Sequence, residues 1–403
     1  MMGKILFVGH EATRTGAPYV LLHLLRWLRA NTNVDSRLLL LAGGELVSEF
    51  ADVSQVSILH PEEADKYNIV SRGLRYVGYY RRNFIKRVAR LKEKLIREGI
   101  DLIYSNTAVN GRIISSLADI GCPVITHVHE LEYTLRHFVG VERTNLMKES
   151  TSHYIVVSES VRKNLVENHS IPEEKIDLIH AFIPVQAIEP TYKNMVRRKI
   201  REELGIPAED YIVGGSGSIL WRKGNDLFVQ LASLLNRRQI DRPVWFVWLG
   251  GPLEGAWYHQ LRHDIRLLGL ENIVKFLGAR DDALDIFCAL DVFVMTSRED
   301  PFPLVCLEAA SVGVPIVCFD KTGGTYELVD GDSGFVVPYL DLECMADKVS
   351  ALLNSEELRL RYGARAAQKT RQLYDVGIAA PKILEVIQRF TRTQQSRSSC
   401  QNC

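Results

Sequence analysis

The sequence predicts an α/β protein of two Rossmann-like domains, with parallel sheets facing a central cleft. Three observations predict it. Short β-branched runs alternate with longer amphipathic stretches along almost the whole chain, the pattern of parallel strands joined by crossover helices. That alternation starts afresh after a proline-punctuated segment near the middle. The 403 residues, 46% hydrophobic and 24% charged, hold enough apolar material for two cores.

In the first half the strands are read at Lys4 to Val8, Ser36 to Leu41, Asp101 to Asn106, Pro123 to His129 and His153 to Ser158. The segment from Ile183-Pro184-Val185 to Glu189-Pro190-Thr191 has no clear period and reads as the hinge. Strands then recur near Tyr211 to Gly217, Val244 to Gly250, Ile273 to Gly278, Val292 to Ser297, Pro315 to Phe319 and Gly334 to Val337. The expected division is therefore a first domain over 1–185 and a second over 186–375. A helix follows over 376–390, and then a polar, Ser/Gln-rich tail over 391–403 that cannot bury an apolar face and is expected to be disordered.

Bulk properties exclude several classes. Lys plus Arg is 49 and Asp plus Glu is 49, so no net charge recruits nucleic acid. The apolar run after Met1 is too short for a signal peptide, and no stretch approaches the roughly 18–20 apolar residues of a membrane span. Seven scattered cysteines suit a reducing cytoplasm, the expected location.

Ligands of open α/β sheets bind beyond the carboxyl ends of the strands, so the loops there hold the candidates. The most specific segment leaves a buried strand at Thr296-Ser297-Arg298-Glu299-Asp300, passes Pro301-Phe302-Pro303, and enters the apolar helix Leu304-Val305-Cys306-Leu307-Glu308-Ala309-Ala310. A carboxylate inside such a helix is expensive unless partnered. Side chains lean toward the helix N-terminus, so Glu308 faces whatever that end binds. Two prolines remove donors there, leaving amides such as Phe302 and Leu304, with Val305 beyond, to meet an anion. The competing reading makes Asp300 an N-cap and pairs Glu308 with an internal cation. A second loop, Gly214-Gly215-Ser216-Gly217 to Trp221-Arg222-Lys223-Gly224, couples glycines to a basic pair suited to a diphosphate; the plain alternative is a solvated dibasic turn. In the first half, Thr15-Gly16-Ala17-Pro18 opens a helix at which backbone can approach a ligand. It is not G-x-G-x-x-G, which disfavours a dinucleotide dehydrogenase. Of His127 and His129, only His129 lies at the carboxyl end of its strand, and His127 reads as internally satisfied.

These motifs resemble those of the retaining glycosyltransferases of family four, on the GT-B fold. The resemblance rests on Asp300-x7-Glu308 with Ala309-Ala310-Ser311-Val312-Gly313-Val314-Pro315, on Arg222-Lys223-Gly224, and on Gly323-Gly324-Thr325-Tyr326-Glu327 before Gly334-Phe335-Val336-Val337-Pro338. It implies transfer of a sugar from a nucleotide sugar, such as a UDP- or GDP-sugar, to a saccharide or lipid-linked saccharide acceptor, without a metal or other cofactor. The implied setting is bacterial polysaccharide or envelope glycan synthesis. It also implies that Asp300 holds the donor sugar, Glu308 the ribose, and Arg222 and Lys223 the diphosphate. Gly16 would close over the diphosphate, Ala279 and Arg280 would flank the base, and His129 would sit by the transferred sugar. The helix over 376–390 would return to the first domain. Two positions depart from the family: the first acid, commonly Glu, is Asp300 with Glu299 beside it, and Ser218 replaces an expected arginine. A nucleotide-sugar epimerase or a non-catalytic nucleotide-sugar-binding protein would share these features and stays open as an alternative.

Arg72, Arg75, Arg81, Arg82, Lys86, Arg87, Arg90, Lys92, Lys94 and Arg97 concentrate in one helical segment with interleaved apolar residues. Such a face could rest on the anionic inner face of a membrane. The alternative is a crossover helix with one core face and one solvated face.

Overall fold

The computed structural model describes residues 3–60 and 79–400 of the chain. Contacts divide it into two units, Met1–Ala181 with Val376–Cys403, and Phe182–Asp375.

The first unit holds a seven-stranded sheet: β1 (Lys4–Gly9), β2 (Asp35–Ala42), β3 (Gln55–His60), β4 (Leu102–Ser105), β5 (Val124–Val128), β6 (His153–Val156) and β7 (Ile176–Leu178). The order is β3-β2-β1-β4-β5-β6-β7, with every pairing parallel. The strand β3 and the edge strand β7 had no place in the sequence reading. Strands β4, β5 and β6 are buried throughout, as parallel strands covered on both faces must be. The helix Gly16–Asn31 buries Val20, Leu21, Leu24, Leu25 and Leu28 at helical spacing against this sheet. The C-terminal helix, Val376–Cys400, packs on the helix Gly16–Asn31 and on β4. It runs past the expected end at 390. The stretch 391–400 contains neither Pro nor Gly, so nothing in its backbone stops a helix already nucleated on the packed residues before it.

The second unit repeats the scheme with β8 (Tyr211–Ser216), β9 (Val244–Leu249), β10 (Val274–Phe276), β11 (Val292–Met295), β12 (Ile316–Phe319) and β13 (Gly334–Val337), in the order β10-β9-β8-β11-β12-β13. Its core centres on Trp248, which meets Phe228 edge to face at 5.1 Å between ring centroids. Part of the segment read as hinge is structured: Ile183 bridges to Asp375, and Pro190 opens the helix Pro190–Leu204, a first position to which its fixed φ is suited.

In both sheets the order reverses between the first and fourth strands, β1 beside β4 and β8 beside β11. That reversal parts the following loops to opposite faces and opens a crevice at the strand ends.

Of the basic segment, Arg72 and Arg75, and the side chains of Arg81 and Arg82, lie outside the described residues. The helix Tyr79–Glu98 turns Val88 and Leu95 into the core. Lys92 pairs with Asp119, Lys94 with Glu98, and Arg87 donates to the Leu59 carbonyl, while Lys86, Arg90 and Arg97 are exposed. No helix among the described residues is long and apolar enough to cross a membrane.

Candidate functional site

At the β8/β11 reversal, two loops interlock. After β8 the chain runs through Gly217 into a short turn, Trp221–Lys223, closed by Gly224 at φ +66°. A Cβ at Gly224 would stand 1.9 Å from the Thr296 carbonyl oxygen, so only glycine permits both the left-handed backbone and the close approach. Thr296 donates its hydroxyl to the Gly224 carbonyl at 2.9 Å. Arg298 completes the clamp: its guanidinium binds both oxygens of Asp226 at 2.8 and 2.7 Å, donates to the Trp221 carbonyl at 2.8 Å, and lies 4.8 Å over the Trp221 ring. The planar fork makes these contacts at once, which a lysine could not.

This clamp sets the two candidate cations beside the candidate acids. Lys223 Nζ is paired with Asp300, and Arg222 donates to the Glu299 carbonyl at 2.7 Å with Asp300 3.9 Å away. The Asp300 side chain is only 8% exposed, so Lys223 keeps it from being a buried charge without a partner. Asp300 is also held through its backbone, its amide donating to the Thr322 carbonyl at 2.6 Å within a bridge to Gly323.

That bridge moves the helix start. The helix spans Leu304–Ser311 with Pro303 at its N-cap, so Asp300 does not cap it. Phe302 is held before the helix with its ring buried 5.3 Å from that of Tyr374. The amides open at the helix N-terminus are those of Leu304 and Val305, which no acceptor in the described chain meets. Glu308 lies one turn further. It is partly buried, and its carboxylate makes no hydrogen bond or ion pair among the described residues, so the internal cation of the competing reading is not there. Burial alone pushes its pKa up to about 7.

Ala279 is exposed beyond β10. The Arg280 side chain is taken up by Asp282 at 2.8 and 2.7 Å and by Glu203 at 2.5 Å, bonds that raise its pKa, so what this stretch presents is backbone.

In the first unit, Gly16 is the first residue of its helix, and a Cβ there would meet nothing within 4 Å; the position is open rather than tightly packed. His129 follows β5. Burial first, and then His10, lower its pKa to about 3, so the imidazole is neutral. Its Nε2 lies 3.3 Å from Asn106 Oδ1, and its amide donates to Glu130 at 2.9 Å. Glu130, buried with its pKa raised by desolvation, also accepts from Thr107 and the Ala108 amide. His127 is fully buried, with Nδ1 2.8 Å from the Tyr104 hydroxyl but Nε2 without a partner among the described residues, so the ring is only half satisfied internally, short of the sequence expectation. Asn106, Glu130 and Arg298 escaped the sequence reading as functional residues. The one signal for Asn106 was its place at a strand end.

Among the described residues no group of three His, Cys, Asp or Glu side chains is arranged to hold a metal ion.

Known proteins answer to this geometry. The family described as Glycosyl transferases group 1 matches residues 196–369, and Glycosyltransferase Family 4 matches residues 15–187. A D-inositol 3-phosphate glycosyltransferase of Corynebacterium aurimucosum is 25% identical over 293 residues, 68% of each chain. The N-acetyl-alpha-D-glucosaminyl L-malate synthase of Bacillus anthracis is 24% identical over 296 residues, 71% of this chain and 74% of its own. The crystal structure of Anabaena HepE in complex with UDP-glucose superposes with a TM-score of 0.80 at 22% identity, over 96% of this chain and 100% of that one. With two parallel-sheet units of this order and both family matches, the chain belongs to the family 4 glycosyltransferases of the GT-B fold.

Proposed function

We propose that the protein transfers a hexose, with retention of configuration, from a nucleoside diphosphate sugar held by the second unit to a saccharide or lipid-linked saccharide. The pathway we assign is bacterial polysaccharide or envelope glycan synthesis. One observation carries the reading: Glu308 is a carboxylate without a partner among the described residues, one turn into a helix whose first amides are open, and the loop leading into that helix carries Asp300, the partner of Lys223, and Glu299, whose carbonyl Arg222 meets. A ribose diol would donate to Glu308, and a diphosphate would accept from the cations and amides. Departure of the nucleoside diphosphate is the costly charge event of the transfer, and fixed cations with helix-end amides stabilise it. Asp300 and its backbone would hold the sugar hydroxyls, with Glu299 alongside. Phe302 would act through the placement of its backbone, while Ala279 and Arg280 flank the base. We assign His129 to a hydroxyl of the transferred sugar, and Gly16 to backbone approach to the diphosphate. A uridine donor is the first choice to test, since HepE was solved with UDP-glucose.

The test is a thermal-shift screen of UDP- and GDP-sugars, followed by turnover of whichever stabilises. One nucleotide sugar should raise the melting temperature and release its nucleotide when an acceptor is added. His129→Ala should keep the thermal shift and lose on the order of a hundredfold in kcat. Stabilisation by none of the donors would overturn the reading, and stabilisation without transfer to any acceptor would favour a binding protein.

We further propose that the acceptor is lipid-linked and met on the cytoplasmic side of the inner membrane. The exposed Lys86, Arg90 and Arg97 beside exposed Ile85 and Ile96 support this reading. Co-sedimentation with anionic vesicles should then exceed that with neutral ones and fall steeply as salt rises. Equal, salt-insensitive recovery from both would favour a soluble acceptor.

A further inference from the structure

We propose that Asn106 is a positioning residue that fixes the tautomer of His129, leaving Nδ1 as the ring atom that accepts a hydrogen bond from the substrate. The inference rests on the assignment of His129 to the transferred sugar.

The sheet order places β1, β4 and β5 side by side, so their carboxyl ends meet around Asn106, the residue after β4. Asn106 is 1% exposed, and its amide donates to the Val8 carbonyl of β1 at 2.9 Å. Its side chain spans the strand ends. Nδ2 donates to the Ala17 carbonyl, in the first turn of the helix Gly16–Asn31, at 2.8 Å. A carbonyl only accepts, which settles the orientation of the carboxamide: the nitrogen faces Ala17 and the oxygen faces His129. Oδ1 in turn only accepts, so His129 must carry its hydrogen on Nε2 to use that contact. A neutral imidazole has one ring hydrogen. Nδ1 is therefore a lone-pair acceptor, and it makes no hydrogen bond among the described residues.

The surroundings hold the ring in this state. The His127 ring lies 4.2 Å from it, itself tied to Tyr104. Glu130 holds the His129 amide from the other side, and the same carboxylate gathers Thr107 and Ala108, the two residues after Asn106. A neutral acceptor suits the transfer, because positive charge grows on the sugar ring as the leaving group departs. The Asn106 amide thus couples the Gly16–Ala17 turn to the ring atom offered to substrate.

The experiment is ring-nitrogen NMR of the full chain labelled in histidine, at pH 7.5, with the His129 signal assigned by comparison with His129→Gln. The wild type should show His129 protonated at Nε2. Asn106→Ala should give a mixed tautomer signal and a kcat lowered by on the order of tenfold to a hundredfold, with donor KM changed little. Asn106→Asp, which places an anion against the ring, should favour the doubly protonated form; it carries the test if the alanine variant does not fold. An Nδ1-protonated wild type, or an unaltered His129 signal in both variants, overturns the proposal. A shifted tautomer with unchanged kcat overturns the contact between Nδ1 and substrate, while donor binding in the thermal-shift screen would still stand.

Discussion

Arg222→Ala should weaken binding of the free nucleoside diphosphate by about 10- to 100-fold, the loss of a charge-assisted hydrogen bond worth roughly 1.5–3 kcal/mol. It should do so with little change in melting temperature. The Arg222 side chain is 24% exposed and its close bond among the described residues is to the Glu299 carbonyl, so its removal strands no buried charge. Lys223→Ala should behave differently. Lys223 is the close partner of Asp300, and removing it leaves a buried carboxylate whose remaining cation among the described residues is Arg222 at 3.9 Å. Breaking such a pair costs on the order of 3–5 kcal/mol at full burial, so this variant should lose stability as well as affinity. Titration calorimetry with UDP and GDP, alongside thermal melts, separates the two effects. Wild-type affinity in a folded Arg222→Ala protein would place the diphosphate elsewhere.

Glu308→Gln should make the free protein more stable and the donor complex weaker. In the folded state burial raises the Glu308 carboxyl to about 7, against an ordinary value of 4.5. A carboxyl raised on folding favours its protonated form there. It therefore costs nothing below about pH 4.5, and the penalty grows as pH rises through the interval and is complete above pH 7. The shift corresponds to about 3 kcal/mol at pH 8, as an order of magnitude. Urea melts should accordingly find the glutamine variant more stable by roughly 1–3 kcal/mol at pH 8, with the gain gone by about pH 4. Donor affinity should fall roughly 10-fold or more, since a neutral amide accepts more weakly from a hydroxyl than a carboxylate does. Equal stability at both pH values would mean that Glu308 has a partner in solution, and wild-type donor affinity would remove it from the site.

What the sequence displayed of this site was whatever local spacing controls. Asp300 and Glu308 stand at the two ends of one strand–loop–helix passage, and Arg222-Lys223-Gly224 at one glycine-closed turn, so both were legible. The helix start was not. Pro301 and Pro303 are equally good openers, and the choice falls to the bridge between Asp300 and Gly323, more than twenty residues away. Asn106, Glu130 and Arg298 were hidden for the same reason. Asn106 matters because β4 lies between β1 and β5, and Arg298 because β11 lies beside β8. Those adjacencies belong to the sheet, not to any window of sequence. Strand β3 begins with Gln55 and alternates through Ser57, and β7 is three residues at the sheet edge. Neither is a continuous apolar run of the kind that identified the buried strands.

The first unit is also assembled from the two ends of the described chain. Its helix Val376–Cys400 packs on Gly16–Asn31 and on β4, yet it leaves the ribosome after the whole of the second unit, Phe182–Asp375. At roughly 5–20 residues per second, the helix Gly16–Asn31 waits on the order of 20–70 s for the helix that packs on it. During that interval the second unit has all of its strands and can close its own core. The first-made part of the protein is thus the last to be finished, and a nascent chain stalled before Val376 would present a completed second unit beside a first unit still lacking its final helix.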